Sequence, residues 1–202
     1  TLCVLALPND HTAGTKEGGP THAAMVADND LAVGRLVDAV SHSRFWSNTV
    51  IFITEDDPQA GWDHVSAYRT TGYVISPYTK RGAVVSEAYS QNSMLRTIGL
   101  LLGTPPMNQL DAIAPPMAAC FTDQPNFTPF VAVSNRVPLT QLNGQTTQLD
   151  HWQLRRDALA SARLPLQVPD ACPEDVLNRI LWRAQRGPID PYPEWALLPE
   201  SE

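Results

Sequence analysis

Three things are scarce in this chain of 202 residues: cysteine, positive charge and long apolar runs. No apolar run approaches the ~20 residues that a membrane-crossing helix needs, and no membrane partner is expected. Lys and Arg number 14 against 21 Asp and Glu, for a formal charge of −7 and a pI near 5.1. Phosphate backbones demand a basic face, so nucleic acid is excluded as a partner, while a site that attracts cations is favoured. The three cysteines, Cys3, Cys120 and Cys172, lack the spacing of a thiolate metal site. Cys3 falls in an apolar run and is expected to be buried. Cys120 and Cys172 are open to pairing, and the odd count leaves one thiol free, so the redox compartment stays undecided. Also missing is the charged-then-apolar opening of a secretory leader. The chain begins at Thr1 inside what reads as a core strand, which predicts that the natural polypeptide extends further N-terminally.

What is present suits a globular protein: 43% hydrophobic and 17% charged residues, enough to bury a core. The length fits one domain with an appended tail. The 18 prolines lie mostly in the second half, which predicts a loop-rich region there.

The chain is organised around Val50–Val65, VIFITEDDPQAGWDHV. Thr49–Ile53 is β-branched or aromatic, as in a strand buried on both faces of a parallel sheet. The run stops against Glu55, Asp56 and Asp57, then a turn, then Asp63 and His64. In open α/β sheets ligands bind beyond the carboxyl ends of the strands. Three adjacent carboxylates repel one another; water offsets the cost if they are exposed, a divalent cation if they converge.

A second apolar run, Leu2–Leu7, also reads as a strand, and it too ends in polar residues, Asn9, Asp10 and His11. Between the two, Thr21 is placed to cap a helix reaching about Ser43, with Met25, Val26, Leu31, Val33, Leu36, Val37 and Val40 at helical spacing. This predicts a right-handed βαβ unit with parallel strands, which would bring Asp10 and Asp56 to one edge of the sheet. Asp28, Asn29 and Asp30 read as a polar helix face, because the spacing lacks the rest of a calcium loop.

Further on, Gly72–Ser76 reads as a third strand and Val84–Val85 as a short edge strand. Ser90 or Asn92 is placed to cap a helix through Leu102, with Gly103 as its stop. In the tail, helices are expected over about His151–Arg163 and from Pro173 to Arg186, closed by Gly187.

Taken together, LPNDHTAGT (Leu7–Thr15), ADNDLAVGRLVDAV (Ala27–Val40), WSNTVIFITEDDPQAGWDHV (Trp46–Val65), SPYTKRG (Ser76–Gly82), SMLRTIGLLLG (Ser93–Gly103) and NRILWRAQRG (Asn178–Gly187) resemble the phosphoesterase branch of the alkaline phosphatase superfamily. The resemblance implies a three-layer α/β/α sandwich with a mostly parallel sheet over residues 1–125. A Pro-rich, loop-rich helical tail over 126–202 would pack on it. It also implies a metal-dependent hydrolase of phosphoric esters, with divalent ions held by Asp/His clusters at the sheet edge. Carried over residue by residue, Asp10, His11, Asp56, Asp57 and His64 would hold metal. Glu55 and Asp63 would stand beside those ligands, and Arg69 or Lys80 would meet the phosphate. Mixed carboxylate and imidazole donors suit Zn²⁺ or Mn²⁺, and all-oxygen coordination suits Ca²⁺ or Mg²⁺. The substrate implied is a small phosphate ester, and relatives working outside the cytoplasm imply a periplasmic or secreted location.

The chain departs from the superfamily in two places. The nucleophile and a further metal-binding acid lie upstream of anything present here, and Thr12 and Thr15 belong to a later loop, so no nucleophile is assigned. Where relatives continue the Asp-His segment with another Asp and His, this chain has Ser66 and Tyr68. Two other readings follow: a non-catalytic part of such a hydrolase that self-associates into a homo-oligomer, or a sulfatase, phosphonate hydrolase or mutase on the same scaffold.

Overall fold

Five α-helices and one small sheet make up the regular structure of a computed structural model that describes residues 1–55, 69–168 and 171–196; for Asp10, His11 and Trp195 the description is of the backbone alone. The chain is mixed α/β. In order, the elements are α1 (His22–Ser41), β1 (Ile51–Thr54), β2 (Gly72–Ile75), α2 (Gln91–Leu102), α3 (Gln109–Ile113), α4 (Trp152–Ser161) and α5 (Glu174–Arg186).

The sheet is two-stranded and antiparallel, with Ile51 opposite Ile75 and Thr54 opposite Gly72. The expected parallel βαβ unit is therefore not what forms, and a three-layer sandwich is not seen among the described residues. Leu2–Leu7 has the composition of a strand but makes no ladder. Leu2, Val4 and Leu5 are exposed, Val4 to 88%. Composition makes a strand eligible, but only a neighbouring backbone can satisfy its N–H and C=O groups, and β1 finds that neighbour in β2. Cys3, expected inside, is exposed for the same reason, and all three cysteines are free thiols. Val84, expected in an edge strand, is unpaired and exposed.

Helix boundaries follow their local signals closely. The Thr21 hydroxyl accepts from the Ala24 N–H at 3.2 Å and starts α1. Ser90 and Ser93 cap α2 reciprocally, each hydroxyl accepting the other's backbone N–H, and Gly103 ends it at φ +69°. The His151 ring nitrogen accepts from the Gln153 N–H and starts α4. Pro173 precedes α5, whose first turn holds Glu174 and Asp175 and whose last turn holds Arg183 and Arg186, the arrangement the helix dipole favours.

The described chain divides into two compact units. One comprises residues 1–4, 36–55 and 70–131. Its core includes Val37, Trp46 and Met117, with the Trp46 ring edge-on to Phe130 and its Nε1 donating to the Phe127 carbonyl. The Thr97 hydroxyl accepts from the Met117 N–H and donates to the Ser93 carbonyl, so α2 is tied down by buried polar groups as well as apolar ones.

The other comprises residues 5–35, 69, 132–168 and 171–196. Ala24, Leu31, Ala158, Leu177 and Ile180 are buried there, and α4 packs on α5. A two-pronged ion pair joins these helices: Arg183 donates from Nε and Nη2 to the two carboxylate oxygens of Asp157, at 2.6 and 2.7 Å. Asn143 donates from its side chain to the carbonyls of Gly14, Lys16 and Pro20, holding the entry turn to α1.

Candidate functional site

Of the residues expected to hold metal, Asp56, Asp57 and His64 lie outside the described residues, as does Asp63. The shared edge at which Asp10 was to meet Asp56 thus lies outside them too. The parallel strands from which that edge was expected are not the ones observed. Asp10 and His11 lie on a 3-10 turn, Pro8–His11, which leads into Thr12 at φ +53°. A β-branched residue rarely takes a positive φ. Here the Thr12 hydroxyl accepts from the Gly14 N–H at 3.1 Å, which ties the turn to itself. Within the 3-10 turn, the Asn9 side-chain amide donates to the Asp28 carboxylate, so Asp28 serves this loop from α1.

Glu55 is the member of the acidic stretch that the structure describes. It follows the last residue of β1 and is half-buried. Its Oε2 accepts from the Thr70 hydroxyl at 2.9 Å, and its backbone carbonyl accepts from the Gln91 side chain at 3.2 Å. Neither Thr70 nor Gln91 was singled out from the sequence. They stand 15 and 36 positions away, and no local spacing announces such a partner. The effect is to fix Glu55, the first residue of the acidic stretch, from two sides.

Lys80 is exposed, in the turn after β2. That turn is built on buried Ser76, Pro77 and Thr79: the Thr79 hydroxyl accepts from the Ser76 N–H and donates to the Ser76 carbonyl. The Lys80 N–H donates to the Cys120 carbonyl at 2.9 Å. Burial pushes the Cys120 thiol up, Glu87 adds to the effect, and the Lys80 charge opposes it. The next residue, Arg81, is engaged elsewhere: its guanidinium donates to the Thr128 carbonyl at 2.6 Å and lies 4.1 Å from the Phe130 ring centre. Arg69 is exposed.

Among the described residues, no three His, Cys, Asp or Glu side chains gather closely enough to hold a metal ion. The five candidate ligands, Asp10, His11, Asp56, Asp57 and His64, are carboxylates and imidazoles, the donor chemistry a divalent cation takes.

No curated protein and no solved structure matches the chain. A family does: residues 15–104, which run from the turn before α1 through β1, the acidic stretch and β2 to the end of α2, match the model of the Phosphoesterase family, and the chain carries a phosphoesterase-type segment there.

Proposed function

We propose that the chain is a metal-dependent phosphoric-ester hydrolase of the alkaline phosphatase superfamily, or the metal-binding part of one, acting on small phosphate esters in the periplasm or outside the cell. The observation that carries this reading is that the Phosphoesterase match spans β1 and the acids that follow it, with Glu55 pinned at the start of the loop. Asp10, His11, Asp56, Asp57 and His64 would hold the ions. Glu55, braced by Thr70, would orient the neighbouring ligands, and Asp63 would assist His64. Bound divalent ions would neutralise the clustered carboxylates and polarise a phosphoryl oxygen. Lys80 or Arg69 would meet the remaining phosphate charge. The superfamily's α/β/α sandwich would also require Leu2–Leu7 to pair as a strand.

The test is a panel of p-nitrophenyl phosphate, phosphonate and sulfate esters, with elemental analysis before and after EDTA. Phosphate-ester turnover that disappears with the metal is expected. The variants Asp56→Ala and Asp57→Ala should lose both metal and turnover. Turnover that survives complete metal removal overturns the mechanism, and a preference for sulfate or phosphonate esters reassigns the reaction.

A second reading, self-association, draws on the apolar surface of α2 and α3, where Leu100, Leu101, Leu102, Met107, Leu110 and Ile113 are all exposed. Size-exclusion chromatography at micromolar concentration should then give an oligomer; a clean monomer removes this reading.

A further inference from the structure

An outward stripe runs along α4. Trp152, Arg155, Arg156, Leu159 and, just past the helix end, Arg163 are exposed and recur at the three- and four-residue intervals of one helical face. The opposite face, Asp157, Ala158 and Ser161, is buried. The helix's single acid is thus on the inner side, and its carboxylate is taken up by Arg183. The stripe carries three guanidinium groups and no carboxylate, in a chain whose net charge is −7.

Among these charges Trp152 and Leu159 leave 59% and 53% of their surface open. A lone exposed apolar residue needs no explanation. This pair is set into an ordered cationic frame. The Arg156 guanidinium lies 5.6 Å from the Trp152 ring centre, the His151 ring stacks on the same indole, and Arg155 donates from Nε to the Leu149 carbonyl at 2.6 Å.

We propose that this face of α4 docks on an anionic phospholipid surface. Indole and isobutyl groups are suited to the boundary between headgroups and acyl chains, and guanidinium groups at the ends of long side chains reach the phosphates beside them. A nucleic acid would meet the three charges but would give Leu159 nothing to do. The expectation of no membrane partner rested on run length, which bears on crossing a bilayer. A stripe at helical spacing bears on lying against one, and it does not rest on the hydrolase reading.

The experiment is co-sedimentation of the full chain with phosphatidylcholine vesicles, with and without phosphatidylglycerol. Binding is expected only with the anionic lipid and should fall as salt is added. Each arginine near such a surface is worth about a fivefold change in partitioning, so Arg156→Gln with Arg163→Gln should weaken binding roughly 25-fold. Adding Arg155→Gln should abolish it, and Lys at the same three positions should retain it. Trp152→Ala should weaken binding at unchanged salt dependence. Circular dichroism confirms that each variant keeps its helices. The proposal is overturned if anionic vesicles do not bind the chain, if they bind it no better than pure phosphatidylcholine, or if the folded double variant binds undiminished. It is equally overturned if a single-stranded oligonucleotide binds the chain while vesicles do not.

Discussion

Gly14 crosses Ser161 with no room for a side chain: a Cβ at Gly14 would fall 2.6 Å from the Ser161 hydroxyl oxygen and 3.0 Å from its Cβ. Gly14 also sits at φ +59°, and the next N–H, of Thr15, donates to the same hydroxyl at 2.9 Å. Close approach, backbone conformation and hydrogen bond thus all meet on one buried serine of α4. Gly14→Ala should destabilise the fold by about 2–4 kcal/mol, the left-handed conformation and the clash adding together. Urea denaturation checks this. Combining it with Ser161→Gly should recover part of the loss but not all, because φ stays positive and the Thr15 N–H loses its acceptor.

The Asp157–Arg183 pair sits between α4 and α5 with the carboxylate almost wholly covered. Removing one partner leaves the other charge poorly solvated, so Asp157→Ala should cost about 3 kcal/mol. Arg183→Met alone should cost a similar amount, and the double variant less than the sum of the two. Thermal unfolding of all four proteins completes the cycle; strict additivity would show that the pair is not coupled.

Asp111 closes the cap of α3. Its carboxylate accepts the backbone N–H of Asn108 at 2.8 Å and of Met107 at 3.0 Å, and these bonds, Asn108 first, hold its pKa below the usual carboxylate value. A depressed folded pKa contributes stability that is complete above the unfolded value of about 3.9 and is lost as pH falls through the folded one. Asp111→Asn should therefore lower the urea midpoint at neutral pH, and the gap to the parent should close in acid. The Glu17 carboxylate is held low in the same direction, chiefly by taking the Thr146 N–H. A gap that is constant with pH would count against this account.

Thr70→Val removes the hydroxyl that braces Glu55. Under the proposed function, metal affinity or turnover should fall about tenfold, the scale of groups that support a ligand without binding the ion. Thr70→Ser should restore it. Elemental analysis and p-nitrophenyl phosphate kinetics separate the two effects.

Much of the local structure was legible from the chain. Thr21, Ser90, Gly103 and Gly187 mark helix ends by chemistry that acts within four residues, and each of them does so here. The strand at β1 and the family segment around it were legible for the same reason: an apolar, β-branched run ending in acids is a contiguous pattern, although the burial on both faces expected of it gives way to half-burial in a two-stranded sheet. The pairing of that strand was not. Composition makes Leu2–Leu7 and Ile51–Thr54 equal candidates, yet only one of them finds a neighbour.

The amino-acid sequence by itself determined where α1, α2, α4 and α5 start and stop, that acids follow β1, and which family the segment over residues 15–104 matches. Only the tertiary structure decided that β1 runs antiparallel to β2, that Thr70 and Gln91 fix Glu55, that Ser161 sits under Gly14, and that the arginines of α4 share an open face while its one acid is turned inward. The first group depends on forces between residues a few positions apart. The second depends on hydrogen bonds and packing across long separations, which the chain acquires only once it has folded.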